Sequence, residues 1–153
     1  MLIYEGKAFI MRIKGRVHYV SAKGSAEMVA EAIAREMKVV KEPLLPAYMP
    51  ENIALMFLGC EGTKADKTTM SFINSLNKSR VANAALFCCN SKKSDAAIQQ
   101  MAAALKEHGV NVLPKTLITN GKGGLFGGKH PSEQELQQAR DFANECEKLV
   151  LGE

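Results

Sequence analysis

The stretch "SAKGSAEMVAEAIAREM" at residues 21–37 directly follows the apolar run "VHYV" at 17–20. A β-rich run enters a short turn of small and hydroxyl residues, and the turn opens onto an amphipathic pattern. Ala26, Val29, Ala30, Ile33 and Met37 recur three or four apart, which places them on one face of a helix. The spacing predicts a strand, a tight turn and a helix. A helix start carries free backbone N–H groups and a partial positive charge. Gly24 allows backbone to approach an anion closely, Ser21 and Ser25 offer hydroxyls, and Lys23 adds a full charge. Such a turn is suited to a monophosphate. The same residues also suit a plain helix start, with Ser25 as the cap and Gly24 as the turn.

The alternation continues along the chain. Apolar, β-rich runs fall at "RVHYVS" (16–21), "NIALMFLG" (52–59), "NAALFCCN" (83–90) and "VNVLPKTLIT" (110–119), with a weaker run at "KVVKE" (38–42). The runs at 16–21, 52–59 and 83–90 are almost continuously apolar, as strands covered on both faces are. Helical patterns separate them: Met70, Ile73 and Leu76; then Ser94, Ile98, Met101 and Leu105, stopped by Gly109; then Leu136, Ala139, Ala143, Cys146 and Val150. The last pattern opens with Pro131 in its first turn and with Glu133 and Glu135 just after it. Strands that alternate with helices form parallel sheets through right-handed crossovers. The expected fold is therefore an α/β three-layer sandwich. Residues 1–153 are expected to form a single domain, with 1–15 as an N-terminal extension in which "LIYEG" and "AFIMRI" could add a hairpin or an edge strand. Ligands of such sheets sit beyond the carboxyl ends of the strands, where the strand order reverses.

Bulk properties narrow the function classes. The chain has 153 residues, 46% hydrophobic and 24% charged, with net charge +4. That composition is ordinary for one globular domain. The bases are scattered, so no nucleic-acid partner is expected. The apolar runs are too short to span a bilayer and the start has no signal-peptide layout, so a cytoplasmic protein with no membrane partner is expected. Cys60, Cys88, Cys89 and Cys146 include no C-x-x-C pair. Cys60 and Cys89 end two strands and raise the option of a thiol-redox pair, against the commoner fate of small buried side chains. His18, His108 and His130 do not cluster, and no metal site is expected. His18 reads as a core residue and His108 as the end of a helix. Glu61, Asp66 and Asp95 read as solvated loop acids or helix caps, with Glu61 also within reach of a ligand. "GGLFGGKH" (123–130) nearly spells a nucleotide-binding loop, but His130 stands where a hydroxyl residue is needed for magnesium. A lid is the simpler reading.

"YVSAKGSAEMVAEAIAREM" resembles the flavodoxin signature, a strand followed by a Ser/Thr-x-Thr-Gly-Asn-Thr phosphate loop and a helix. "ENIALMFLGCEG" stands in the place of the family's third strand and first flavin loop. "NAALFCCNSKKSDAAIQQMAAALKEHGV" stands for the fourth strand, second flavin loop and fourth helix. "TNGKGG" with "HPSEQELQQARDFANECEKL" stands for the last loop and helix. The resemblance implies a parallel sheet of five strands in the order 2-1-3-4-5 and an FMN-binding protein that transfers electrons. It assigns Ser21, Ala22, Lys23, Gly24, Ser25 and Ala26 to the phosphate. Gly59, Cys60, Glu61 and Gly62, together with Cys89, Asn90 and Ser91, would border the flavin.

The sequence departs from the family's pattern in three ways. Lys23, Ser25 and Ala26 replace a threonine, an asparagine and a threonine of the phosphate loop. There is no tryptophan in the chain, and neither "GCEGTKADK" (59–67) nor "CCNSKKSD" (88–95) carries an aromatic to stack on a flavin. By topology the aromatic nearest these loops is Phe126. Finally, the chain is basic where flavodoxins are acidic, with Lys64, Lys67, Lys92 and Lys93 in the flanking loops. These lysines imply a raised flavin potential and acidic redox partner proteins, met as a monomer or a homodimer. The alternative is a flavodoxin-like fold that has lost FMN and binds another phosphorylated ligand or a protein partner.

Overall fold

The computed structural model describes residues 13–121 and 131–153. All but the last residues of the 1–15 extension, with its expected strand or hairpin, lie outside them, as does the "GGLFGGKH" loop with Phe126 and His130. The elements alternate from the start: β1 (Gly15–Tyr19), α1 (Ser25–Met37), β2 (Lys41–Pro43), β3 (Ile53–Glu61), α2 (Lys67–Asn74), β4 (Val81–Cys89), α3 (Ala96–Glu107), β5 (Asn111–Val112), β6 (Leu117–Thr119) and α4 (Glu133–Leu151). Among the described residues every strand pair is parallel. The strand order is β2-β1-β3-β4-β5, with β6 also on β4. This is the expected fold, with one difference. The single strand expected at 110–119 is two short ones. Leu113 still bonds Ala84 through its N–H, but Pro114 has no N–H to continue the ladder, so pairing lapses and resumes at Leu117.

The sheet divides two cores because successive strand residues face opposite sides. Leu55 and Phe57 of β3 pack with α1 and α4, where Val29, Ile33, Phe142 and Cys146 are buried. Met56, Leu58 and Cys60 face α2 and α3, against Ile73, Ile98, Met101 and Leu105. Gly59 leaves room for the ring of its register partner Phe87: an added Cβ would lie 2.0 Å from that ring's Cε2.

Helix starts follow side-chain chemistry. Asp66 caps α2 by accepting from the Thr69 N–H at 3.0 Å and the Thr69 hydroxyl at 2.6 Å. Ser132 and Glu135 form a reciprocal capping box on α4, so Pro131 stands just before the cap rather than in the first turn. Asp95 occupies the cap position of α3 without a side-chain capping bond. His18 is buried on β1. Its Nδ1 lies 3.1 Å from the Glu42 carbonyl, which can only accept, so Nδ1 carries the proton and Nε2 accepts from the Tyr48 hydroxyl.

Candidate functional site

The loop between β1 and α1 sits at the carboxyl edge of the sheet, beside the end of β3, where strand order reverses. Gly24 is the N-cap of α1, in the left-handed conformation at φ 92°. A side chain there would be strained, which accounts for the glycine. The cap is therefore Gly24, not Ser25. The Ser25 side chain turns inward and is buried. Ser21 Oγ accepts from the N–H groups of Gly24 at 3.1 Å and Glu27 at 3.2 Å, which folds the loop into a cradle.

An anion already lies in that cradle, and the chain supplies it. Glu61 Oε2 accepts from the Ser21 hydroxyl at 2.6 Å, the Ser25 hydroxyl at 2.9 Å and the Ala26 N–H at 2.9 Å. Glu61 Oε1 accepts from the Lys23 N–H at 2.8 Å. Glu61 is therefore not a solvated loop acid. Its position follows from period-two alternation: Leu55 and Phe57 face α1, and two further steps along the strand aim Glu61 at the start of that helix. Burial alone would raise its pKa. Hydrogen bonds from Ser21, Ala26, Lys23 and Ser25 outweigh burial and hold the carboxyl below its ordinary value.

Beside the cradle lies a cavity of about 400 Å³, within the range of small-ligand sites. Ala22, Lys23 and Ser25 line it from the β1–α1 loop, Glu61, Gly62 and Thr63 from the end of β3, and Cys89, Asn90, Ser91 and Lys92 from the end of β4, with Gly121 beside them. Asn90 fixes its own loop, accepting from the Ser94 N–H at 2.8 Å and donating to the Ser94 carbonyl at 2.9 Å. Gly62 donates to the Cys89 carbonyl at 2.9 Å and ties the β3 loop to β4. Not every residue assigned by resemblance reaches the cavity. Ser21, Gly24 and Ala26 shape the cradle from behind. Gly59 is buried beneath it against Phe87. Cys60 is fully buried on the opposite face of the sheet, among α2 and α3 residues. Thr63 and Gly121 are the lining residues that sequence reasoning did not single out, while Lys92 reaches the cavity as the flanking-loop lysine it was read to be. Loop chemistry carries little signal for them.

The thiols are sequestered. Cys60 and Cys88 face each other in register on one side of the sheet, while Cys89 lies on the other. Cys60 and Cys89 thus do not form a pair. Burial pushes the thiols of Cys60, Cys89 and Cys146 up to about 12 and that of Cys88 to about 11. Among the described residues, no group of three or more His, Cys, Asp or Glu is placed to hold a metal, and no helix is long and apolar enough to cross a membrane.

Comparison with known proteins places the architecture. No protein-family model matches the chain, and no curated protein sequence does. Solved structures do. A flavodoxin from the domain Archaea superposes with a TM-score of 0.67 at 19% identity, over 90% of this chain and 99% of that one. Oxidised flavodoxin 2 from Bacillus cereus gives 0.65 at 13% identity, over 86% and 95%. The flavodoxin-like domain of a Synechococcus sp. protein gives 0.61 at 14% identity, over 92% and 100%. The chain has the flavodoxin-like fold.

The residues present can be tested against FMN, the group such folds imply. The phosphate half fits in kind: two hydroxyls and two backbone N–H groups already bind a carboxylate, which stands in for an anion. The ring half offers Asn90, Cys89, glycine backbone and lysine stems, with no aromatic among the described lining residues.

Proposed function

We propose that the chain is a flavodoxin-like FMN-binding protein that transfers electrons and that holds its flavin as an exchangeable ligand rather than a permanent group. The observation that carries this reading is the anion cradle of Ser21, Lys23, Ser25 and Ala26 opening onto the neighbouring cavity. FMN, when bound, would supply one- or two-electron chemistry. The chain's part is to bind, orient and tune. The Ser21 and Ser25 hydroxyls and the Lys23 and Ala26 N–H groups would donate to the phosphate. The Asn90–Ser94 bonds keep the second loop in place against the ring. Weak retention follows from the absence of a stacking aromatic in the described lining. Exposed Lys23 and Lys92 on the cavity lining favour acidic partners and a less reducing potential.

Titration of the purified protein with FMN, read by quenching of flavin fluorescence, tests this. Saturable binding with a micromolar dissociation constant is expected, weakened by Gly24→Asp. No binding at millimolar FMN, by wild type or by any variant with the cradle emptied, would overturn it. The second reading is a fold that has lost FMN and serves a protein partner. It is favoured by the bare ring half of the site, and that same null result would support it.

A further inference from the structure

Resting on the reading above, we propose that Glu61 is an internal competitor for the phosphate, so that the chain discriminates against phosphorylated ligands until this carboxylate leaves the cradle. Two different requirements converge on one set of donors. A phosphate in the cradle would need the Ser21 and Ser25 hydroxyls and the Lys23 and Ala26 N–H groups. All of them already serve Glu61, at 2.6 to 2.9 Å. Two anions cannot share these donors at such distances without strong repulsion. Entry of phosphate therefore requires the carboxylate to move out.

The route out is short. Glu61 is the last residue of β3, and its side chain also borders the cavity. The chain turns at Gly62, at φ 88°, with open space around it. A rotation about the side-chain torsions carries the carboxylate toward solvent while β3 stays paired with β4. A ligand without phosphate needs no such movement, because it uses the cavity alone. Glu61 thus sets selectivity between two chemically related ligand classes: phosphate esters, which must displace it, and their dephosphorylated counterparts, which need not.

Three probes separate this from the flavin reading: FMN, riboflavin and inorganic phosphate, each titrated against wild type, Glu61→Ala and Glu61→Gln. The Gln variant keeps the side-chain volume and remains informative where the Ala variant folds poorly. Wild type is expected to bind FMN no more tightly than riboflavin. Both variants should bind FMN about tenfold or more tightly than wild type does, as loss of charge-assisted hydrogen bonds to a competitor implies. Riboflavin affinity should stay unchanged. Inorganic phosphate should shift the amide resonances of Lys23 and Ala26 in the variants and leave them unmoved in wild type. Glu27→Ala removes an equal charge from the first turn of α1 without emptying the cradle. An equal gain there would assign the effect to long-range charge and overturn the proposal. So would wild type preferring FMN over riboflavin by about a hundredfold, or variants that gain neither FMN nor phosphate. Phosphate binding gained without FMN binding would sustain the competitor role and sink the flavin reading.

Discussion

At the scale of single residues, the chemistry of Glu61, His18 and Gly59 makes separate claims. Glu61 has a folded pKa below its ordinary value of 4.5. Its contribution to stability is therefore complete above the unfolded value and is lost as pH falls through the folded one. In urea unfolding, Glu61→Gln should be less stable than wild type at pH 7, and the gap should close toward pH 3. His18 behaves in a related way for a different reason. Burial pulls its pKa below 6.5, with Arg16 adding to the effect and the Glu42 carbonyl and carboxylate opposing it. The unfolded chain then binds a proton that the folded chain refuses. Stability is full above about pH 6.5 and falls as pH drops from there to the folded pKa. Unfolding midpoints measured across that window should slope in wild type and lose that slope in His18→Gln. Gly59→Ala drives a methyl into the Phe87 ring. It should cost about 1–3 kcal/mol in chemical denaturation, the usual penalty for overpacking.

At the scale of elements, the helices declare themselves most clearly. The apolar positions of α1, Ala26, Val29, Ala30, Ile33 and Met37, are all buried, because a 3.6-residue period leaves little choice of face. Their ends are less legible. Proline at 131 and serine at 132 both suit a helix start, and only the reciprocal bonds between Ser132 and Glu135 decide between them. The run at 110–119 shows the limit of apolar patterning, since Pro114 interrupts pairing without interrupting hydrophobicity. Glu61 shows another. Its residue type suggests a loop acid, and only the alternation of β3 together with the neighbouring strand order aims it at α1. The two together were present in the sequence as separate facts. The start of α2 depends on one side chain. Asp66→Ala should lower stability by about 1 kcal/mol, read as a shift in the thermal midpoint, since it removes both Thr69 bonds.

At the scale of the whole molecule, the order of strands was readable because alternation of strand and helix admits few topologies. What the cavity takes was less readable, because the loops that line it carry no periodicity to constrain them. The division into two cores has a chemical outcome for the cysteines. All four are buried, none is more than 1% exposed, and burial raises each thiol well above neutrality. Native protein at pH 8 should take up no iodoacetamide over a time in which denatured protein is alkylated at all four positions. Rapid labelling of any of the four in the native state would contradict their burial.

The Glu61 contact also bears on how the protein lives in a cell. A binding loop that waits for its ligand is ordered only when that ligand is abundant, and the folded population then tracks supply through mass action. Here the loop closes on a group carried by the same chain and synthesised with it. Ordering of this loop thus needs no small molecule to supply its anion. In flavin-starved cells the protein should accumulate to the same level as in replete ones, and quantitative immunoblotting of the two cultures would show it.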